Sequence, residues 1–356
     1  MKELEGKRIL VTGGTGSLGQ VLVRRMLSGE MGKPAQITVF SRDEAKQHYM
    51  RLEFLHRGTA TDDIIYENSQ SVLNFTIGDV RDYPALLSAL RHADIVFHAA
   101  ALKQVPSCEY FPFEAVQTNV HGAANITRAL RENDLPVRRV VGISTDKACK
   151  PINVMGMTKA LQERVLIEAN RDCQNVSINC VRYGNVVASR GSIIPLFVDQ
   201  IRKGLAVTIT LPEMTRFLLS LDRAVDTVFE AVASPGRGET LVPKVGCARI
   251  LDVAEALMGE KKLAIEFTGI RPGEKVHEIM VSEEERFRTI QRGDYYVILP
   301  VLPELRTDTA FEPVLDSEYS SKDGNLRGEP LVALLADSSD EIKRFIYDGQ
   351  AVHSRV

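Results

Sequence analysis

Arg8-Ile9-Leu10-Val11-Thr12-Gly13-Gly14-Thr15-Gly16-Ser17-Leu18-Gly19 passes from a short β-branched run, through a glycine-rich turn, into apolar residues at helical spacing as far as Leu27. The order is strand, turn, helix. Gly13, Gly16 and Gly19 form G-x-x-G-x-x-G. Glycine is needed where such a turn is tight, where backbone approaches a pyrophosphate, and where the helix packs on the strand. The helix N-terminus then stabilises negative charge. Because the motif follows the first strand and opens the first helix, Thr12, Gly13, Thr15, Gly16, Ser17, Leu18 and Gly19 are read as a dinucleotide cradle.

The same rhythm continues outward. Ile37–Phe40, Asn74–Ile77, Ile95–His98, Arg139–Ile143 and Val176–Arg182 read as further strands, with helices over Tyr83–Leu90, Ala115–Leu130 and Met155 to about Ala169. Near-continuous apolar strands alternating with helices predict an α/β fold, a doubly wound Rossmann-type parallel sheet covered on both faces. Residues 1–185 are assigned to this cofactor-binding domain, with later segments interleaved, and 186–315 mainly to a smaller, mixed substrate-binding domain. Residues 316–356, turn-rich and without strong periodicity, form a tail that is either docked, on a neighbouring subunit for instance, or disordered.

Composition narrows the function. With 44% apolar and 26% charged residues and a net charge of -3, the chain resembles an ordinary globular protein, not a nucleic-acid or anionic-membrane binder. Cys108, Cys149, Cys173, Cys180 and Cys247 are odd in number and scattered, which predicts reduced thiols in a cytoplasmic setting. The charged N-terminus carries no apolar leader pattern, and no apolar run is long enough to span a membrane. The seven histidines show no ligand spacing, and His277-Glu278 lacks a second histidine four residues on, so no metal is expected.

At the end of the second strand stand Ser41 and Arg42, with Lys46 one turn further. A guanidinium there suits a 2′-phosphate and favours NADP over NAD; a solvated helix start beside Asp43 and Glu44 is the plainer alternative. Asp79-Val80 closes the third strand, where Asp79 is placed to accept from an adenine amino group. Ala99, Ala100 and Ala101 close the fourth, and their small side chains let a cofactor lie against the backbone.

Past the fifth strand comes Ser144-Thr145-Asp146-Lys147-Ala148, and then Met155-x-x-x-Lys159. A carboxyl and an amine at the end of a parallel strand lie where α/β active sites are built, and burial with mutual proximity pushes their pKa values toward neutrality.

These motifs, together with Arg182-Tyr183-Gly184-Asn185-Val186, Met214-Thr215-Arg216-Phe217 and Gly269-Ile270-Arg271-Pro272-Gly273-Glu274-Lys275, resemble the extended short-chain dehydrogenase/reductases. More narrowly they resemble the UDP-N-acetylglucosamine 4,6-dehydratases of polysaccharide and capsule biosynthesis. The resemblance implies that a tightly held, recycled nicotinamide oxidises the sugar at C4 and later returns the hydride to C6, while water is eliminated across C5 and C6. It implies Asp146 as acid at the C6 oxygen, Lys147 as base at C5, Thr145 at the C4 oxygen and Lys159 on the nicotinamide ribose. Lysine after the aspartate, where relatives acting on glucose nucleotides generally have glutamate, points to the N-acetylglucosamine branch.

Met155 stands where the superfamily has its tyrosine. A thioether cannot give up a proton, and a positioned general base is worth about 10²- to 10⁴-fold in rate. Short soluble capsule-type members of the branch also carry methionine there, which implies a C5-inverting enzyme of that kind. The C4 hydroxyl proton then passes through Thr145, a water or Lys159. Lys103, Tyr183, Asn185, Thr215, Arg216, Arg271 and Glu274 are the candidates for nucleotide-sugar contacts, the arginines as forks for a diphosphate. Relatives are homo-oligomers, dimers or hexamers. Two other readings stand beside this one: a UDP-sugar C4 epimerase, which needs no elimination pair, and a non-catalytic NADP-binding sensor that has lost its tyrosine.

Overall fold

The computed structural model describes residues 2–54, 72–187, 192–234, 236–306, 311–338 and 340–351. Six strands, β1 (Arg8–Thr12), β2 (Gln36–Ser41), β3 (Leu73–Ile77), β4 (Ile95–His98), β5 (Arg139–Ile143) and β6 (Ser177–Val181), lie parallel in the order β3-β2-β1-β4-β5-β6. That is the doubly wound order, in which the chain reverses direction between β1 and β4 and leaves a crevice at the strands' carboxyl ends. The six strands match the sequence expectation to within a residue or two. Side chains on β1 alternate. Ile9 and Val11 face a cluster with Leu22, Val23 and Met26 of α1 (Ser17–Leu27), whereas Leu10 faces Leu86 and Leu90 of α3 (Tyr83–Leu90), beyond α2 (Glu44–Phe54) in the chain. Both faces of the sheet are therefore covered, which is why its inner strands read as apolar runs.

Between β4 and β5 run two short helices, α4 (Val105–Tyr110) and α5 (Pro112–Ala115), a π-helical turn over Val116–His121, and α6 (Gly122–Glu132). The π turn carries Asn119, whose side chain accepts from Leu102 N and donates to Leu102 O and Thr158 Oγ1 at 2.8, 3.0 and 3.0 Å. Those bonds tie the segment after β4 to α7 (Val154–Glu168). Asn153 caps α7 by accepting from Gly156 N at 2.7 Å, a standard N-terminal device. Gly156 has no room for a side chain, because a Cβ would collide with the Lys147 carbonyl.

Beyond β6 the chain makes a second lobe and also returns to the sheet. The elements are β7 (Asn185–Val186), α8 (Ile193–Arg202), β8 (Val207–Ile209), β9 (Thr215–Leu219), α9 (Leu221–Ala233), β10 (Thr240–Pro243), β11 (Cys247–Arg249), α10 (Ile250–Met258), β12 (Ile265–Phe267), β13 (Ile279–Val281), β14 (Thr289–Arg292), β15 (Tyr295–Ile298) and β16 (Tyr319–Ser320). β10 joins β6 in parallel, and the β14–β15 hairpin adds an antiparallel edge, giving nine strands. The lobe's own core gathers Phe197, Val198, Ile201, Val253 and Leu257.

The residues after Asp316 are not featureless. β16 pairs with β13, and α11 (Gly328–Asp337) and α12 (Asp340–Ala351) follow. Leu331, Leu335, Ile342 and Ile346 are buried in the second lobe's core. Leu331 and Leu335 stand one helical turn apart, a weak periodicity that the turn-forming residues around Gly328 and Pro330 masked. All five cysteines are buried and none is in a disulfide. Among the described residues no helix is long and apolar enough to cross a membrane.

Candidate active site

A cleft of about 1200 Å³ lies at the carboxyl ends of the strands, between the sheet and the second lobe. Its inner wall is the glycine turn. Gly13 has φ +69°, and a Cβ there would come within 2.7 Å of Ala100 backbone, so the turn and the end of β4 are pressed together. Gly19 is closed off similarly by Gly14. Gly16 differs: an added Cβ would meet only the Gly13 carbonyl, and the residue faces the cleft as N-cap of α1 with no side chain capping the helix. Bare amides at a helix start facing an open cleft suit a pyrophosphate.

Thr15, Ser17, Leu18, Ser41, Arg42, Lys46, Asp79, Val80, Ala99, Ala100 and Ala101 also line the cleft. Thr12 does not. It is fully buried, and its Oγ1 is bonded to His98 Nδ1 at 2.9 Å, because a residue inside β1 points into the sheet's packing. Arg42 is half exposed and stands 3.6 Å from Asp79, while Lys46 is bonded to Asp43. Burial raises the Asp79 pKa, but hydrogen bonds and charge from Arg81 outweigh it and keep the carboxyl below its ordinary range.

The segment after β5 continues the sheet. Ser144 N donates to Val181 O at 2.7 Å and Asp146 N to Tyr183 O at 3.0 Å, so Asp146 is held on an extension of the β5–β6 ladder. Thr145 Oγ1 donates to Asp146 Oδ1 at 2.8 Å and caps a single 3₁₀ turn over Asp146–Ala148. Lys147 Nζ reaches Asp146 Oδ1 at 3.1 Å and Glu278 Oε1 at 3.2 Å. Glu278 stands just before β13, and its Oε1 is 3.8 Å from Arg216 Nε. Two carboxyls therefore share one amine.

Burial, reinforced by the Glu278 charge and only partly offset by Lys147, raises the Asp146 pKa. Glu278 goes the other way: burial opposes ionisation, yet Lys147, Arg216 and Lys275 hold its carboxyl below the usual range. Lys147 is raised, since Asp146 and Glu278 outweigh its burial. The expectation that burial and proximity bring both groups toward neutrality thus holds in direction for Asp146 and fails for Lys147. The Asp146 charge, joined by that of Glu278 from the segment before β13, outweighs burial at Lys147.

Lys159 is buried, donating to Ile143 O at 2.5 Å and Gln162 Oε1 at 2.7 Å, and burial lowers its pKa to about 8. Met155 lines the cleft, backed by Cys108, Ala115, Leu102 and Val105 in an apolar cluster. Lys103, Tyr183, Asn185, Arg216, Arg271 and Glu274 reach the cleft as expected. Arg216 is buried, with Nη1 given to the Thr215 and Val276 carbonyls, whereas Arg271 is exposed. Thr215 does not reach it: its hydroxyl is bonded to His277 Nδ1 and Ser321 Oγ, both at 2.8 Å, because alternation along β9 turns it away from the cleft when Arg216 faces inward.

Six buried oxygens on these walls have no hydrogen-bond partner among the described residues: Asp146 Oδ2, Glu278 Oε2, Thr118 Oγ1, Asn185 Oδ1, Ser192 Oγ and Glu274 Oε2. Buried polar atoms are nearly always bonded, so the cleft is built for a polar ligand. Sequence reading missed Glu278, Gln162, Thr118 and Ser192. Only Glu278 left a trace, as the acid beside His277 that was tested for metal spacing alone.

A nucleotide-sized cleft at the topological switch point, with a buried acid and amine at a strand end, defines a Rossmann-type enzyme of small polar substrates. Residues 9–300 match the model of the polysaccharide biosynthesis protein family, to which the chain therefore belongs. With it the chain joins the nucleotide-sugar epimerase and dehydratase enzymes. It is 44% identical over 297 residues to a UDP-glucose 4-epimerase of Rickettsia bellii, covering 82% of each chain. The solved structure of Pen from Bacillus thuringiensis is similar with a TM-score of 0.82 at 31% identity, over 95% of this chain and 99% of that one. In fold alone the chain is also similar to DesIV, a dTDP-glucose 4,6-dehydratase from Streptomyces venezuelae with NAD bound, with a TM-score of 0.63 at 20% identity over 76% of this chain and 86% of the other.

Proposed function

We propose that the protein is an NADP-dependent UDP-N-acetylglucosamine 4,6-dehydratase, a hydro-lyase that inverts C5 and supplies a 4-keto-6-deoxy sugar nucleotide to surface glycan synthesis. The observation that carries this reading is Asp146: a fully buried carboxyl with a raised pKa, one oxygen bonded to Thr145 and Lys147, the other unpartnered at the cleft. Expelling a hydroxyl as water needs a positioned acid. Epimerisation at C4 gives such an acid nothing to do.

A bound nicotinamide dinucleotide supplies the hydride acceptor and donor for C4 and C6. The Gly13–Gly19 turn with the start of α1 receives its pyrophosphate, Ser41 and Arg42 its 2′-phosphate, and Lys159 its ribose. Thr145 bonds the C4 oxygen, Lys147 takes the C5 proton, and Asp146 delivers a proton to the C6 oxygen. Arg216 and Arg271 face the diphosphate across the cleft. Inversion at C5 rests on the likeness to methionine-bearing soluble members of the branch.

The relatives named UDP-glucose 4-epimerase support the second reading, a C4 epimerase on the same scaffold. Incubation with UDP-N-acetylglucosamine in deuterated water, followed by proton NMR, separates the two. A C6 methyl signal with deuterium at C5 is the dehydratase result, and its ring couplings report the C5 configuration. UDP-N-acetylgalactosamine alone sinks that reading in favour of epimerisation. Release of NADP rather than NAD on denaturation checks Arg42.

A further inference from the structure

The geometry points to Glu278 as a positioning residue of the elimination site: its carboxylate takes up the Lys147 proton, so that the amine meets the C5 hydrogen uncharged. This rests on the dehydratase reading above. Three observations carry it. Glu278 Oε1 lies 3.2 Å from Lys147 Nζ, within hydrogen-bond reach of the proton to be moved. Its Oε2 is buried without a partner, so the group has an acceptor position that no other bond occupies. And Glu278 is 2% exposed on the cleft wall, where a bound substrate removes the remaining water.

The need for such a group follows from the charges. Lys147 is flanked by Asp146 on its own turn and by Glu278 from the segment before β13, with Arg216 of β9 and Lys275 facing Glu278 as the neighbouring cations. Lys275 Nζ is given to the Cys149 carbonyl at 2.6 Å, and His277 to Thr215. Burial and the surrounding charges push Asp146 toward its protonated form, Lys147 toward its charged form and Glu278 toward its ionised form. An ammonium cannot take a proton from carbon. Passing one proton from Lys147 to Glu278 leaves Asp146 protonated, Lys147 as free amine and Glu278 neutral, with no change in total charge. Filling the cleft with substrate favours that neutral arrangement, since burial disfavours charged forms. A diphosphate engaging Arg216 also weakens that cation's pull on Glu278.

The proton count closes around the reaction. Lys147 gains the C5 proton as the C5 electron pair forms the C5–C6 double bond and the C6–O bond breaks. Asp146 gives its proton to the departing oxygen, which leaves as water. When hydride reaches C6, a water on the opposite face protonates C5, as inversion requires, and Lys147 gives its proton to the hydroxide left behind; the proton released from the C4 hydroxyl makes good the one lost from Asp146.

The test is the pH dependence of dehydration, read as C6 methyl formation and C5 deuteration in wild type and Glu278→Gln. In wild type the amine's proton stays within the cluster, so the rate is flat over about pH 7 to 9. In Glu278→Gln the proton must leave for solvent, so the rate at neutral pH falls at least about tenfold and climbs about tenfold per pH unit across that range. Glu278→Asp, which keeps a carboxylate, retains the flat profile at a reduced rate. A pH-independent loss in Glu278→Gln marks a merely structural role and overturns the proposal, as does no loss at all. Wild type alone overturns it if its own rate climbs tenfold per unit, whatever the variants do. Absence of any C6 methyl product from wild type counts instead against the dehydratase reading.

Discussion

Two buried clusters lie near the end of β5, each with two carboxyl groups around one cation. The front cluster is Asp146, Lys147 and Glu278. The rear one is Glu163, Arg182 and Glu285. In the rear cluster Arg182 donates to both oxygens of Glu163 at 3.1 and 2.7 Å, to both oxygens of Glu285 at 2.7 and 3.1 Å, and to Met280 O at 2.8 Å. Ser144 donates to Glu163 as well, and no oxygen of the three residues is left unpartnered among the described residues. The front cluster keeps two buried oxygens open to the cleft. The difference teaches that burial of charge does not mark a catalytic group; incomplete satisfaction facing a cleft does. The rear cluster ties α7 to the residue that follows β6 and to the segment after β13, and so fixes the helix that carries Lys159.

Substitutions should break this comparison in opposite ways. The largest effect is on rate: Asp146→Asn lowers dehydration by about 10²- to 10⁴-fold while the protein stays folded, checked by C6 methyl formation alongside circular dichroism. Arg182→Met leaves two carboxylates buried without their cation and costs about 3–5 kcal/mol, read from denaturant midpoints. Its activity falls because the fold does.

Acid sharpens the contrast. Glu285 is held down to about 2 because Arg182 and its hydrogen bonds outweigh burial. A lowered carboxyl contributes stability above its unfolded pKa and loses it as pH falls toward the folded one. Roughly 3 kcal/mol should therefore disappear between about pH 4.5 and pH 2, a loss absent in Glu285→Gln. Asp146 has the opposite sign. Its raised pKa means that ionisation opposes folding as pH rises above the unfolded value, so Asp146→Asn should be neutral to stabilising at pH 7. Thermal midpoints of the same variant used for kinetics check this. Smallest is Met155→Leu: it keeps the apolar cluster filled, costs less than about 1.5 kcal/mol, and leaves the pH profile unmoved, because the thioether moves no proton.

Much of the fold was legible in the sequence. β1, β4, β5 and β6 are buried almost throughout, so each announces itself as a local apolar run, while the edge strand β3 is only half-buried. Later segments were expected to interleave with the first domain, but β10 and the β14–β15 hairpin were not picked out as those segments, since the return from the second lobe is encoded in no local pattern. The helices after Gly328 were hidden by their turn-forming start. In the site, residues on the glycine turn, at the strand ends and in the Thr145–Lys159 segment were found through motif spacing. Thr12 and Thr215 were overextended from the same motifs, because a motif names neighbours without saying which side of a strand each faces.

By itself the sequence determined what is local: the glycine turn opening α1, the strand rhythm, and an aspartate and lysine set side by side at the end of β5. Steric demands and hydrogen-bond geometry over a few residues suffice for those. Tertiary structure alone decided the charges. Whether Lys147 is drawn toward its neutral form or its charged one depends on how many carboxylates lie within a few ångströms. Asp146 is the neighbour of Lys147 in the chain, whereas Glu278 is brought within 3.2 Å of it only by the tertiary fold.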